Sequence, residues 1–482
     1  MQISCVNYKN LDQGTRLDAE YYKPEFLEVE KLLRKTNFKL LDDVSKSIKS
    51  FGAYALCNEM VLVDKGITFI RCKDIKEGFV DFSDVLFIDD KTHCLLSKST
   101  VTPQTVMLTM SGTVGNCVVA DPAWKYPINS NQDIAKIETN ELLNPYYLTT
   151  FLNGKYGRSQ TERLPVGSIQ QHIFIWQLKG LLIPITSKDF QDDIAALYSK
   201  AFKSLNNSEA FYRDAGQRLL SELGLLNWKP SHRLSFVKKF SDMQASERID
   251  AEYFQPKYEE IIDQFQNNYK TEILENITKL IGHPSNPTYE SEDSRNKTFI
   301  ITQKHLGNYF PSDNFWEDPD ALYTTNNFIK KNKQYLLQAN DIILYSVGAY
   351  IGKANIFNSN IKATIGSFLT LIRPDHEKIN PYYLLVFLNS EAGKQMTRRC
   401  SRGMAQQYVY PYDIKKIIIP IISKSKQIEI EKKILESLDA KALSKHLLTI
   451  AKRGVEMAIE KSEKDAQNWI GTKLKKLGVR LN

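Results

Sequence analysis

The side chains with the clearest chemical potential are basic and amide-rich, and they occur in both halves of the chain. In the first half they are Arg158, Arg163, Gln170 and Gln171, and in the second half Arg398, Arg399, Arg402, Gln406 and Gln407. Two more follow the first predicted strand of each half: Lys73 and Lys76 in the first half, and Gln303 and Lys304 in the second. Arginine and lysine bind guanine edges and phosphates, while glutamine binds adenine edges. Any one of these residues can be a solvated loop residue or a helix cap, but as a set they favour contact with DNA.

A second repeated pattern is Asn144-Pro-Tyr-Tyr147, which returns as Asn380-Pro-Tyr-Tyr383. It lacks one proline of the [DN]-P-P-[YF] motif of amino-group methyltransferases. Asparagine as N-cap with proline at the first helical position predicts the start of a helix. Neither half shows a strand–GxG–helix unit that would hold S-adenosylmethionine. The pattern therefore favours a structural role over methyl transfer.

A third candidate is acidic: Asp64, Asp74 and Lys76 distantly resemble the acidic pair and lysine of metal-dependent nucleases. The second half has Lys304 and His305 at the equivalent place, so the set is not duplicated. No Ser/His/Asp arrangement repeats either. A duplicated chain without a duplicated catalytic set is more consistent with binding than with reaction.

Two glycine-rich turns, Gly112–Gly115 and Gly348–Gly352, are too short to be phosphate-cradling GxxxxGK[ST] loops. Each follows an apolar strand, so we predict tight turns between strands.

The totals are those of an ordinary globular chain: 482 residues with a net charge of +8, which is compatible with nucleic acid without proving it. The six cysteines form no CxxC pair and none has a counterpart in the other half, which predicts reduced thiols in a cytoplasmic protein. The seven histidines are dispersed, so we expect no zinc site and no cofactor. The N-terminus lacks a signal pattern, and the longest apolar runs are too short to span a membrane.

The sequence segments that would position these side chains occur twice in the chain. Arg16–Pro24 returns as Arg248–Pro256 at an offset of 248 − 16 = 232, and Asn144–Leu148 returns as Asn380–Leu384 at 380 − 144 = 236. A period of this size indicates two lobes and not a solenoid. The predicted boundaries are 1–186 for the first lobe, 187–224 for a central long helix, 225–422 for the second lobe and 423–482 for a distal long helix.

The two helices carry apolar residues at helical spacing, over Ser187–Leu223 and from Ser423 to about Leu477. The first would be about 55 Å long at ~1.5 Å per residue. Each helix could pack on its own lobe, but we favour packing of the two on each other. The segments 40–66 and 270–297 hardly resemble each other, and neither do 90–105 and 307–340. The two lobes keep the same repeated motifs but differ in these segments, which suggests that each lobe binds a different target.

Taken together, these features resemble the specificity subunit of Type I restriction–modification systems. The resemblance rests on the Arg-(Leu/Ile)-Asp-Ala-Glu-Tyr motif, the strand–Gly-x-x-Gly turn, the Gly-x-x-Gln loop before an Ile-Pro strand, and a long helix after each lobe. It implies an α+β fold with two homologous mixed α/β target-recognition domains, separated by two long antiparallel helices that form a coiled coil. It also implies that the chain has no active site and that each lobe reads one half of a bipartite site on double-stranded DNA.

The implied partners are methyltransferase subunits, expected to be two, which dock on the helices, together with nuclease/translocase subunits of the complex. No membrane is implied. Single-chain restriction–methylation enzymes and phage-defence methyltransferases have similar lobes. A recognition subunit of such a system lacking the nuclease therefore stays open, as does a stand-alone DNA methyltransferase or nuclease.

Overall fold

The computed structural model describes residues 4, 6, 16, 18–50, 58–166, 171–290, 298–307, 321–403 and 406–481. Residues 1–206 together with 440–482 form one compact unit, and residues 207–439 form the other. The long central helix and the long distal helix each contribute residues to both units.

Residues up to 222 form six helices and thirteen short strands within the described ranges. The helices are α1 (Pro24–Leu33), α2 (Asp90–Leu95), α3 (Pro145–Asn153), α4 (Lys155–Arg163), α5 (Ile175–Lys179) and α6 (Lys188–Glu222). The strands are β1 (Phe38–Leu40), β2 (Ser45–Lys49), β3 (Leu62–Val63), β4 (Ile67–Ile70), β5 (Ile75–Lys76), β6 (Phe79–Val80), β7 (Leu86–Ile88), β8 (Thr100–Val101), β9 (Val106–Thr109), β10 (Cys117–Val119), β11 (Ile128–Ser130), β12 (Ile134–Thr139) and β13 (Leu182–Pro184).

The rest of the described chain adds eight helices and ten strands. The helices are α7 (Phe240–Ser246), α8 (Pro256–Asn268), α9 (Asn326–Lys331), α10 (Pro381–Asn389), α11 (Glu391–Arg399), α12 (Pro411–Ile414), α13 (Lys424–Glu460) and α14 (Glu463–Lys476). The strands are β14 (Lys270–Ile273), β15 (Thr278–Gly282), β16 (Tyr289–Glu290), β17 (Thr298–Ile301), β18 (Tyr323–Thr324), β19 (Asp341–Tyr345), β20 (Ala354–Phe357), β21 (Ala363–Ile365), β22 (Leu369–Pro374) and β23 (Ile418–Ile421).

Each unit contains a four-stranded antiparallel sheet with the same strand order, β10-β9-β12-β2 in one and β20-β19-β22-β15 in the other. Each also contains a parallel pair, β4 with β11 and β17 with β21. The predicted duplication is therefore present in the fold. It extends to segments whose sequences differ, because α2 and α9 begin at positions 90 and 326, again 236 residues apart.

The Asn-Pro-Tyr-Tyr helices α3 and α10 are the buried centre of each lobe. Each begins at its asparagine, whose side chain accepts a hydrogen bond from the first turn of the helix, as predicted. In each unit this cap is fastened to a long helix: Asn144 N donates to Gln191 Oε1 at 2.8 Å, and Asn380 N donates to Gln427 Oε1 at 3.0 Å. The same polar contact thus joins lobe and long helix in both copies.

The long helices α6 and α13 contain 35 and 37 residues. Within residues 207–439 they run antiparallel, since Ser208 Oγ lies 3.1 Å from Ser437 Oγ, and Asp214 Oδ2 lies 3.8 Å from Lys433 Nζ. Both serines are buried. The predicted packing of the two helices on each other is confirmed.

The prediction of one distal helix continuing to Leu477 is wrong. Helix α13 ends at Glu460, and Ser462, in an extended conformation, caps a new helix by accepting a hydrogen bond from Asp465 N at 3.1 Å. Helix α14 lies along the first part of α6, where Gln467 Nε2 donates to Asp193 Oδ2 at 2.9 Å. A serine N-cap satisfies amide groups that a continuous helix would have bonded internally, so the chain can turn here at little cost.

Strand β12 carries a fully buried lysine, Lys136, in the middle of the first four-stranded sheet. Its Nζ donates to Ser130 Oγ at 3.0 Å and to Ile134 O at 3.3 Å. Burial, together with the nearby charge of Lys49, lowers the pKa of Lys136 to about 7. The corresponding position in the second unit is apolar: Lys136 pairs with Met107, and Leu371 pairs with Ile343.

We expect the stability of the first unit to rise with pH between about 7 and 10. Lysine in the unfolded chain keeps its proton up to a pKa of ~10.4, whereas folded Lys136 releases it near 7. In that window the unfolded state binds more protons, so raising the pH favours folding. Lys136→Leu should abolish the rise in thermal midpoint, whereas the exposed control Lys39→Leu should keep it. An undiminished rise in Lys136→Leu would contradict this assignment.

Candidate nucleic-acid interface

The two glycine turns connect antiparallel strands, β9 to β10 and β19 to β20, as predicted. Gly115 (φ +83°) and Gly352 (φ +86°) both have left-handed backbone conformations that favour glycine. A Cβ at Gly115 would lie 2.5 Å from Thr161 Oγ1, and one at Gly352 would lie 3.2 Å from Thr397 Cβ. The turns are therefore packed against α4 and α11, and neither is a phosphate-cradling loop.

The amide-rich segments are short hairpins that are closed in the same way in both lobes. Arg402 N donates to Tyr408 O and Tyr408 N to Arg402 O, both at 2.8 Å, and Val166 and His172 exchange the same pair of bonds. The second hairpin lies against its glycine turn, because Gly348 N donates to Gln407 O at 3.2 Å. Backbone hydrogen bonds thus hold the described residues at the two ends of each segment together.

In these segments, the glutamines keep their side chains available for a ligand. Gln171, Gln406 and Gln407 are exposed, and Gln406 Oε1 accepts a hydrogen bond from Tyr408 Oη at 3.1 Å. Gln170 lies outside the described residues. Exposed amide side chains have the donor and acceptor groups that pair with adenine edges.

A short 3-10 turn follows the first strand of each parallel pair and carries Lys73 in the first lobe and Gln303 and Lys304 in the second, while Lys76 lies in β5. Gln303 Nε2 donates to Val347 O at 2.8 Å, which fastens this turn to the glycine turn, and Lys304 is exposed beside it. In the first lobe, Lys73 Nζ forms an ion pair with Asp84 at 2.7 Å, and Lys76 Nζ donates to Lys73 O at 2.6 Å. Gln303 therefore supports the site, and Lys73 and Lys304 lie at its surface.

Two of the predicted DNA-contacting arginines, Arg163 and Arg399, hold the repeated Arg-x-Asp-Ala-Glu-Tyr motif. Arg163 Nε donates to Tyr21 O at 2.8 Å and its guanidinium lies 4.0 Å from the Tyr21 ring centre. Arg399 Nε donates to Tyr253 O at 3.4 Å and lies 4.5 Å from that ring. The structure gives both arginines the same internal partner, which holds the motif in place, and their contact with DNA stays a prediction.

Arg158 and Arg402 also have internal partners. Arg158 Nη1 donates to Val114 O at 3.0 Å, behind the glycine turn. Arg402 binds Asp413 through Nε at 2.9 Å and Nη2 at 3.0 Å, and the hydrogen bonds to this carboxylate raise the pKa of Arg402. Both arginines therefore brace the hairpin frame, whereas Arg398, at the end of α11, is exposed.

The sequence did not lead us to a row of aromatic side chains at the end of each hairpin, of which Phe174, Trp176, Tyr410 and Tyr412 are exposed. In the second lobe Tyr408, Tyr410 and Tyr412 stack with interplanar angles of 15° and 10°. In the first lobe Phe174 is 44% and Trp176 is 55% exposed at the positions equivalent to Tyr410 and Tyr412. Aromatic residues at alternating positions around buried Ile173 or Val409 were the signal in the sequence. Rows of exposed rings beside amide groups suit nucleic acid.

The two sets of residues considered as catalytic, the Asn-Pro-Tyr-Tyr patterns and the region of Asp74, make internal hydrogen bonds in the structure. Tyr147 and Tyr383 are fully buried, and their hydroxyls donate to the carbonyl oxygens of Pro184 and Pro420. Asp74 is buried, and each of its carboxylate oxygens accepts a 3.0 Å bond from Arg71. Within the described ranges no group of three His, Cys, Asp or Glu side chains could hold a metal ion. The helices that the structure describes include none long and apolar enough to cross a membrane.

Comparison with known proteins gives one family match, over residues 290–451, to the family described as Type I restriction modification DNA specificity domain. No curated protein matches the chain. Among solved structures, the chain is similar to the Type I restriction–modification S subunit from M. genitalium (14% identity, 92% of this chain and 96% of that chain covered, TM-score 0.36). It is also similar to the HsdS subunit from Thermoanaerobacter tengcongensis (14% identity, 88% and 96% covered, TM-score 0.29).

Proposed function

From the membership of residues 290–451 in the family of Type I restriction–modification DNA specificity domains, we infer that this chain is the DNA-recognition subunit of such a system. The matched residues include the second amide-rich hairpin and the exposed tyrosine row. The first lobe repeats the same sheets and hairpin closure. The family match is the observation that carries the proposal, and the repeated frame extends it to the first lobe.

The chain recognises DNA and leaves the chemistry to other subunits. The residues that resembled methyltransferase and nuclease motifs cap helices or pair with Arg71. We propose that each lobe reads one half of a bipartite target on double-stranded DNA. The equivalent frames support this, because they present different side chains at equivalent positions, such as Trp176 and Tyr412.

The recognition subunit assembles with the other subunits of its restriction–modification complex. We propose that two methyltransferase subunits bind, one for each copy of the lobe–helix junction formed at Gln191 and Gln427. We further propose that nuclease/translocase subunits join through them and that the complex acts in the cytoplasm. No cofactor is proposed for this chain.

Methylation mapping tests the function directly. In cells that express this chain with its partner methyltransferase, methylated adenines should fall in one bipartite sequence. The chain purified alone, incubated with DNA, S-adenosylmethionine and Mg²⁺, should bind DNA with an affinity that falls steeply as salt rises. Methyl transfer or cleavage by the chain alone would overturn the proposal.

Gln407→Ala is expected to weaken recognition of one half-site by about 1–3 kcal/mol and to leave the other half-site unchanged, because a lost amide removes a base-edge contact. Gln266→Ala, an exposed glutamine on α8, is the matched control and should change neither. Arg402→Ala should mainly lower the thermal midpoint, since Asp413 loses its partner. Equal weakening of both half-sites by Gln407→Ala would reassign Gln407 to a contact that carries no sequence information.

A further inference from the structure

The two lobes differ at the place where α1 and α8 approach the ends of α4 and α11. In the first lobe a carboxylate fills this place: Arg163 Nη1 donates to Glu30 Oε2 at 2.6 Å, and Glu30 also pairs with Arg34. The charges of these arginines lower the pKa of Glu30 although burial raises it. In the first lobe, Arg163 thus has a carboxylate partner from the same lobe.

The second lobe has exchanged charges at the equivalent positions. Ile262 stands where α1 has Glu30 (30 + 232 = 262), so α8 offers Arg399 no carboxylate there. Lys416 stands where the first lobe has Gly180 (180 + 236 = 416). Gln266 stands where α1 has Arg34 (34 + 232 = 266), so the whole Glu30–Arg34 pair is absent from the second lobe. Asp413 and Arg402, which replace Gln177 and Val166, pair with each other, so Lys416 is the net gain of one positive charge.

An independent sign of a missing ligand is the buried guanidinium of Arg248, whose side chain is 5% exposed. Its Nε and Nη2 donate to Asp250, and Nη2 also donates to Ser401 O at 2.8 Å. Its Nη1 is buried and has no hydrogen-bond partner in the described part of the chain. In the first lobe the corresponding Arg16 Nη1 donates to Leu164 O at 2.9 Å.

Three cationic residues, Arg248, Arg399 and Lys416, line one pocket of about 50 Å³. Its other lining residues include Tyr253, Ile262 and Cys400, together with one acidic residue, Asp413. Asp413 is paired with Arg402 and Asp250 with Arg248, whereas within the described residues no carboxylate forms an ion pair with Arg399 or Lys416. A buried donor without an acceptor is costly, and an oxyanion would supply the acceptor.

We propose that Arg248, Arg399 and Lys416 form a phosphate-binding site in the second lobe. A phosphate group has several acceptor oxygens and can accept from both guanidinium groups and the ammonium at once. The site itself is independent of the proposed function; its occupation by a DNA backbone phosphate rests on that function.

Thermal unfolding of the full chain in sodium phosphate, compared with sodium chloride at equal ionic strength, tests the site. Phosphate should raise the midpoint of the wild type by about 2–4 °C at saturating concentration. Ile262→Glu restores the carboxylate of the first lobe and should abolish this difference. Lys416→Gly, which restores the first lobe's glycine, should reduce it even if Ile262→Glu fails to fold.

Lys415→Gly is the matched control, because Lys415 lies in the same turn but pairs with Glu275 at 2.8 Å and does not line the pocket. It should keep the full phosphate response. An equal response of wild type, Ile262→Glu and Lys416→Gly would overturn the site. So would the same midpoint in phosphate and chloride, which would mean that water alone fills the pocket.

DNA titrations distinguish the two sources of the phosphate group. If a backbone phosphate binds, the plot of log affinity against log salt should become shallower by about one unit in Lys416→Gly and stay unchanged in Lys415→Gly. An unchanged slope together with a lost phosphate response would identify free phosphate as the ligand. A wild type that binds DNA without responding to phosphate would overturn only this inference. A phosphate response without DNA binding would overturn only the proposed function.

Discussion

Inserting four residues into each long helix, between Asn206 and Asn207 and between Asp439 and Ala440, is expected to lengthen the unread DNA spacer by one or two base pairs. Both helices are continuous at these points, where the two compact units meet along the chain. Four residues add ~6 Å and rotate the following turn by only about 40°. One base pair rises about 3.4 Å, which gives the expected change. The half-site sequences should stay the same, since neither lobe is altered.

Methylation mapping with the partner methyltransferase measures the spacer. Two-residue insertions at the same points are the control, because they would turn the apolar stripe by about 200° away from its partner helix and should impair folding. An active four-residue variant with an unchanged spacer would show that these helices do not set the distance between half-sites.

Tyr383→Ala is expected to lower the free energy of unfolding of its unit by about 3–5 kcal/mol, as for other large buried aromatic side chains. The ring is fully buried within the main hydrophobic core of residues 207–439, and its hydroxyl donates to Pro420 O. Tyr383→Phe keeps the ring and should cost only about 1 kcal/mol, the contribution of one buried hydrogen bond. Denaturant titration of the full chain measures both losses.

The conservative variant also separates structure from catalysis. A complex with Tyr383→Phe should methylate the same sites at nearly the wild-type rate, because the hydroxyl only bonds to the backbone. Tyr147→Phe, at the equivalent position in the first unit, is the internal comparison. Loss of methylation without loss of stability would instead give these tyrosines a direct role in the reaction.

The predictions that the sequence supported best were those that depend on local chemistry. Asn144 and Asn380 were predicted as helix caps and are caps, because a short polar side chain before proline satisfies the first turn regardless of the rest of the fold. The pairing of α6 with α13 followed from apolar stripes that had to be covered. The duplication followed from motifs at a nearly constant offset.

Roles that depend on tertiary contacts could not be predicted in the same way. Arg163 and Arg399 were predicted as DNA contacts from their residue type, but nothing in the local sequence indicated that each also contacts a tyrosine more than 140 positions earlier in the chain. The end of α13 at Glu460 was missed because apolar spacing continues beyond Ser462, although Ser462 and Asp465 have the spacing of a cap. An exposed serine inside a helix has the same sequence signature, so only packing against Asp193 distinguishes the two.

The buried contact between Ser208 and Ser437 bears on how faithfully the chain folds. Ser437 Oγ donates to Ser208 O at 2.8 Å, and both serines are buried, as are Ser204 on α6 and Ser444 on α13. If one helix slid along the other, Ser437 Oγ would lose Ser208 O as its acceptor, and a buried hydroxyl left unsatisfied costs about 1–3 kcal/mol. A polar residue in such a seam is known to select one register. We expect this pair to discourage misaligned species during folding, so that the molecules in a cell recognise targets of a single length.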